Sequence, residues 1–328
     1  MTIKIPRIIS AFPSKKIGVI GDIMLDHYID GSVERISAEA PVPIISAKSE
    51  QFVPGGAANT ALNSAALGAK TELVGVVGRD LAAKKILEIL GKNEVVCRGV
   101  FTDSSRRSTE KTRITASGQQ LVRIDREDAR PIKKLLERRI LNYISAKISG
   151  WDAIVVSDYA KGVITLNLAI KISELAHKYK KPLIVDAKPV NFEFFKKATI
   201  MSPNKKEAGE VSGINPESDK DIRRIGEALR KKTRSAVLLT RGREGMTLFS
   251  GGRPVHFPSF APAVVDGTGA GDTVVAAAAL AVAAGANLKQ AAYISNCAAG
   301  IVVGKSGTAS VSLKELFNHA GLKNKISH

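Results

Sequence analysis

The sequence predicts an α/β fold in which a doubly wound, mostly parallel sheet carries helices on both faces and a small β-rich lid stands beside it. Short apolar runs ending in Gly or Asp alternate with segments of helical apolar spacing along nearly the whole chain, the pattern of a parallel sheet covered on both sides. Two stretches break that rhythm with extended or alternating patterns, and these supply the lid. No internal repeat or low-complexity linker interrupts the chain, so residues 1–328 are expected to form one domain with lid insertions at about 28–53 and 97–127.

In chain order, buried strands are expected at 17–22, 73–77, 153–158, 183–186 and 236–240, and helices at 57–67, 82–90, 133–149 and 219–232. Residues 28–52 lack helical spacing and contain Pro41 and Pro43, so they read as extended strands. Residues 109–125 alternate polar and apolar around Ser117-Gly118, a hairpin signature. Ligands of such sheets bind at the carboxyl ends of the strands, where Asp22, Asp158, Asp186 and Thr240 fall.

Composition narrows the function classes. The chain has 328 residues, 44% hydrophobic and 24% charged, enough for one large core with an appendage. Its most apolar run, 274–286, is short, alanine-rich and interrupted by Gly285, so it reads as a buried helix rather than a membrane span. Lys4, Arg7, Lys15 and Lys16 precede no long apolar segment with a cleavage site, which argues for a cytoplasmic protein without a secretory signal. Cys97 and Cys297 lie outside any Cys-x-x-Cys or Cys/His pattern and read as reduced, buried thiols. The net charge of +18 implies anionic ligands. The basic residues are scattered in small groups and aromatic residues make up only 5%, so no nucleic-acid partner is expected.

The chemistry-bearing segment is Asp266-Gly-Thr-Gly-Ala-Gly-Asp272, directly before the apolar helix expected to start near Thr273. Glycines at a helix start let the backbone approach an anion, and the free amides and helix dipole favour negative charge there. Asp272 at that end can take a proton from an attacking hydroxyl while the amides of Gly269, Ala270 and Gly271 hold a transferring phosphoryl group. Read alone, the same Asp is equally well a first-turn acid of the helix. The segment is no dinucleotide fingerprint, because Asp272 occupies the place of the last Gly in G-x-G-x-x-G. Gly304-Lys305-Ser306 is no P-loop, because Ala299 stands at the first Gly and helix-patterned sequence precedes it.

Further segments decide between these readings. Pro54-Gly-Gly-Ala-Ala-Asn59 opens a helix, Pro203-Asn204-Lys-Lys-Glu207 follows a strand-like stretch, and Thr240-Arg241-Gly242 ends another. Together with the Asp272 segment, and in this order, they resemble the PfkB (ribokinase-like) carbohydrate kinase family over essentially the whole chain. Asp266, Thr268, Gly269, Ala270, Gly271 and Asp272 match its signature, whereas Gly267 stands where the family usually has a larger residue. Within the family the chain is most similar to the D-glycero-β-D-manno-heptose 7-phosphate kinases. That similarity rests on Gly21-Asp22-Ile-Met-Leu-Asp26, on Arg35-Ile-Ser-Ala-Glu-Ala-Pro-Val-Pro43, on Pro54-Gly-Gly-Ala-Ala-Asn59, on Gln119-Gln-Leu-Val-Arg-Ile-Asp125, on Ser157-Asp-Tyr-Ala-Lys-Gly162 and on Val185-Asp-Ala-Lys188.

The resemblance implies MgATP as co-substrate, a sugar phosphate as acceptor and Asp272 as general base, with a monovalent cation as a further option. Asp22, Asp26, Gly55, Gly56 and Asn59 should hold the sugar. Arg123, Asp125, Lys161 and Lys188 are candidates for the rest of the sugar phosphate, and the sequence does not choose among them. Asn204, Lys205, Lys206 and Glu207 should serve the nucleotide side, with Glu207 reaching Mg²⁺ through water. Thr240, Arg241, Gly242, Gly245, Asp266 and Gly267 should follow the nucleotide phosphates, and Asn296 and Lys305 should border adenine and ribose. A homodimer through the lid is expected. Other sugars of the family (ribose, fructose, tagatose 6-phosphate, fructose 1-phosphate) and a non-catalytic anion-binding protein are the alternatives.

Overall fold

The computed structural model describes residues 4–260, 267–305, 307 and 309–323. Among these, the strands in chain order are β1 (Lys16–Ile36), β2 (Pro43–Gly56), β3 (Lys70–Val77), β4 (Val96–Thr102), β5 (Thr109–Ala116), β6 (Gln119–Arg126), β7 (Ala153–Asp158), β8 (Leu183–Ala187), β9 (Ile200–Met201), β10 (Ala236–Thr240), β11 (Met246–Phe249) and β12 (Val255–Phe257). The helices are α1 (Ile5–Ser10), α2 (Ala57–Ala66), α3 (Leu81–Lys92), α4 (Lys134–Lys147), α5 (Leu166–Lys178), α6 (Lys205–Ser212), α7 (Asp219–Thr233), α8 (Ala270–Ala283), α9 (Leu288–Val302) and α10 (Leu313–Lys323).

The body sheet runs β12-β11-β10-β9-β8-β7-β1-β3-β4, parallel from β10 to β4 and antiparallel at β10-β11-β12. Alternate residues of its central strands serve opposite faces, as the period of two demands. Val155, Ile184 and Leu238 pack with α1–α3 and α8–α10, while Val156, Val185 and Leu239 pack with α4–α7. Helix α8 is apolar all round and its residues 274–281 are buried, so it lies inside the molecule. Among the described residues no helix is long and apolar enough to cross a membrane.

The lid is built on the same strand as the body. β1 continues without a break past Asp22, and its outer half pairs antiparallel with β2 and parallel with β5, which pairs in turn with β6. The β5–β6 hairpin turns at Ser117 and Gly118, both at positive φ, as the sequence signature requires. One expected boundary is wrong. Residues 97–102 belong to β4, which pairs with β3 at the edge of the body sheet, so the second lid segment begins at β5. The apolar run of β4 packs beside β3, and only the alternating stretch after it reaches the lid.

Candidate active site

Helix α8 begins at Ala270, three residues earlier than its apolar pattern suggests, because Gly269 adopts φ 78° and turns the chain into the first helical turn. That leaves the first amides of α8 without intrahelical acceptors at the mouth of a cleft, and puts Asp272 inside the first turn. Asp272 is 3% exposed. Its Oδ2 accepts from Asn59 Nδ2 at 2.8 Å, and its Oδ1 accepts from Thr60 Oγ1 at 2.8 Å and from the Tyr159 hydroxyl at 3.1 Å. Burial pushes its carboxyl up to about 6, the three donors pull it down, and Asp26 pushes it up. A buried carboxylate titrating near neutrality, beside the positive end of a helix, can accept a proton from a hydroxyl brought to it.

Asn59 therefore departs from its expected place among the sugar contacts. Its amide donates to Asp272 and its Oδ1 accepts from Asn63 Nδ2 at 3.1 Å, so it holds the carboxylate. Asp22 departs further. It is 1% exposed, and its carboxylate accepts the backbone N–H groups of Tyr159, Lys161 and Val163 at 2.8–3.0 Å. Asp22 thus shapes the loop after β7 instead of facing a ligand. Burial pushes the Asp22 carboxyl up against the pull of those three amides, and burial together with the charge of Asp22 pushes the neighbouring Asp158 up.

Asp26 and Gly55-Gly56 stay together where the lid leaves the body. A Cβ at Gly55 would fall 2.6 Å from Asp26 Oδ2, so the bare backbone gives the carboxylate its room. Asp26 is paired at 2.5 Å with Arg113 of β5, a residue that the alternating hairpin pattern does not single out. Of the basic candidates, Arg123 is paired with Asp125 on the exposed strand β6, and Lys161 with Glu127. Lys188 is paired with Glu207 at the start of α6.

The nucleotide candidates converge. Asn204, Thr240, Gly242, Gly245, Gly267, Ala270, Gly271 and Asn296 line one cavity of about 360 Å³ between the ends of β9 and β10 and the starts of α6 and α8. Lys205 pairs with Glu244, Arg241 with Asp219 and Glu244, and Lys305 with Glu315, none of them lining that cavity. Lys206 is exposed on α6, and Asp266 lies outside the described residues. Asn296 Nδ2 donates to the Pro258 carbonyl at 2.7 Å, so its amide braces the wall of the cavity.

Asn204 and Glu207 form a capping box at the start of α6, with Glu207 Oε2 accepting the Asn204 amide at 3.0 Å and Oε1 paired with Lys188. Beside them the Asp186 carboxyl, partly open to the cleft, is pushed up to about 8 by desolvation and by the charge of Glu207. Crowded hard oxygen donors whose repulsion a cation would relieve fit Mg²⁺. No cluster of three ligating side chains occurs among the described residues, so such an ion would be held chiefly by water and nucleotide phosphates.

A cleft of this kind at the carboxyl ends of a mostly parallel sheet, with a β lid over it, is the architecture of the ribokinase-like kinases. The chain superposes on Arabidopsis thaliana ribokinase complexed with ribose and ATP with a TM-score of 0.75, at 23% identity, over 93% of this chain and 98% of that one. It superposes on Escherichia coli phosphofructokinase-2 in complex with potassium with a TM-score of 0.76, at 17% identity, over 94% and 99%. Residues 14–315 match the profile of the pfkB family carbohydrate kinases, and the chain belongs to that family. Bifunctional protein HldE of Geobacter sulfurreducens is 42% identical over 307 residues, and that of Caulobacter vibrioides 43% over 309. Both alignments cover 93% of this chain, which spans 63% of the length of these relatives.

Proposed function

We propose that the enzyme transfers the γ-phosphoryl group of ATP to the anomeric hydroxyl of D-glycero-β-D-manno-heptose 7-phosphate, giving the 1,7-bisphosphate and ADP. The observation that carries the reaction is the buried Asp272 carboxylate at the start of α8, held by three donors beside the nucleotide cavity. Asp272 takes the hydroxyl proton as the sugar oxygen bonds to the γ-phosphorus and the bond to the bridging oxygen of ADP breaks. The first amides of α8 face the charge that grows on the transferred group. Mg²⁺, when bound, supplies positive charge to the nucleotide phosphates. Asp26, with Gly55 and Gly56, binds the sugar under the lid.

The heptose assignment is supported by the run from Arg35 to Pro43 at the tip of the lid, where β1 turns into β2, and by the HldE relatives. The product would feed activated-heptose synthesis for cell-envelope glycans in the cytoplasm. The lid would also join two copies, because β6 is exposed along its whole length and, among the described residues, pairs only with β5. The test is ADP release measured across heptose 7-phosphate, ribose, fructose, tagatose 6-phosphate and fructose 1-phosphate. Heptose 7-phosphate should give the highest kcat/KM; a higher value for another sugar keeps the kinase and replaces its substrate.

A further inference from the structure

Lys188 follows β8, and its Nζ is paired with Glu207 Oε1 at the start of α6. The same ammonium lies 5.0 Å from the centre of the Tyr159 ring, whose hydroxyl donates to Asp272 at 3.1 Å. Glu207 in turn caps α6 with Asn204, which lines the nucleotide cavity, so the ammonium lies between that cavity and the carboxylate proposed as base. Asp186 closes the same space from the other side, since a Cβ at Gly271 would come within 3.7 Å of its Oδ2.

A lysine serving only as a partner of Glu207 would be an expensive device, because a half-buried ion pair recovers little more than its desolvation. Two further features point past that role. The second oxygen of Glu207 is already engaged by the Asn204 amide, and the aromatic face of Tyr159 fixes the ammonium on the side of Asp272. A site crowded with Asp186, Glu207 and Asp272 must also admit a polyanion, and it does so only where cations meet the incoming phosphoryl oxygens.

We propose that Lys188 is a catalytic residue whose ammonium holds an oxygen of the γ-phosphoryl group while it passes from ADP to the hydroxyl, rather than a contact to the far phosphate of the sugar. The proposal rests on the kinase reading of the site. Lysine suits the task, with three donors on a compact charge that stays in place while the phosphorus moves between oxygens. It forms no covalent bond and keeps its own protons.

The test uses Lys188→Met and Lys188→Arg in the full chain, with two measurements. Calorimetric binding of Mg-AMPPNP and Mg-ADP separates nucleotides with and without a γ-group: Lys188→Met should bind AMPPNP at least tenfold more weakly and ADP within about threefold of wild type. Steady-state kinetics should give kcat at least about a hundredfold lower, with KM for the preferred sugar within threefold, and Lys188→Arg should recover part of the loss. Equal effects on both nucleotides, or a raised sugar KM with kcat preserved, would overturn the proposal; the second result would return Lys188 to the sugar phosphate. If Lys188→Met does not fold, Lys188→Gln takes its place in both measurements. Failure of the kinase reading looks different, since wild-type protein would then turn over ATP with no sugar of the panel.

Discussion

At the scale of single residues the site is organised around how many donors one carboxylate holds. Oδ1 of Asp272 has two and Oδ2 has one, which leaves an acceptor position on Oδ2 for an incoming hydroxyl. Asp272→Asn should keep the thermal midpoint and nucleotide affinity close to wild type and lower kcat by at least about a hundredfold, the span of general-base catalysis. Turnover near wild type in that variant would remove Asp272 from the role. The Tyr159 bond carries a pH prediction. It favours the charged form of a group that burial has raised to about 6 and that Asp26 also raises, with Lys188 near the ring. In Tyr159→Phe the acid limb of kcat should therefore move to higher pH, activity at pH 8 being least affected; an unmoved limb in a profile from pH 5 to 8.5 would count against the bond. Such roles were only partly legible in the sequence. In the sequence Asp22, Asp158 and Asp186 each close a short apolar run and Asp26 follows soon after, and only the folded chain decides that Asp22 meets three amides while Asp26 stays at the lid. Asn59 opens a helix in either reading, and only the approach of α8 to α2 gives it Asp272 as a partner.

At the scale of elements, the loop after β7 is an example of structure imposed by one buried side chain. Asp22 of β1 accepts the amides of Tyr159, Lys161 and Val163, and the loop they shape carries the phenol that reaches Asp272. Asp22→Ala leaves three donors to find water, at about 1–3 kcal/mol for each one that stays buried. Denaturant unfolding should show a loss of about 2–4 kcal/mol, and hydrogen exchange at Tyr159, Lys161 and Val163 should quicken well beyond that of β7 itself. Unchanged exchange at those amides would show the loop to be held by other contacts. Strands β3, β7, β8 and β10, helices α2, α3, α4 and α7 and the β5–β6 hairpin follow from periodicity and turn chemistry, so they were readable in advance. The start of α8 was not, because an alanine and a glycine precede its apolar run and only the left-handed Gly269 marks the true end. The edge strand β4 was also misplaced, since its short half-buried run before an alternating hairpin looks like the beginning of the hairpin's own sheet.

At the scale of the molecule, the excess of positive charge and the exposed lid each predict a bulk property. With a net charge of +18 the surface should draw in anionic substrates. Raising ionic strength from about 0.01 to about 0.1 M shortens the screening length from about 30 to about 10 Å. That change should lower kcat/KM for a sugar phosphate more than for an uncharged sugar, and equal sensitivity would dismiss steering. On the lid, Ile36 is 62% exposed and Leu121, Val122 and Ile124 are 40–44% exposed, a surface suited to a second copy. Sedimentation should give a dimer, and Leu121→Asp with Ile124→Asp should give monomers of unchanged thermal midpoint; a wild-type monomer would refute pairing through the lid. The strand shared by lid and body has a mechanical meaning. β1 is a single strand of 21 residues running from body into lid, and its two irregularities, between Asp30 and Gly31 and between Val33 and Arg35, lie beyond Asp26 within the lid, so the lid cannot swing about the body as a door does. It can only flex, with the stretch from Asp22 to Asp26 as the fulcrum that travels least and the tip at Ile36 as the end that travels farthest. Closure would then reach around a substrate at the rim while the floor of the site keeps its alignment with α8.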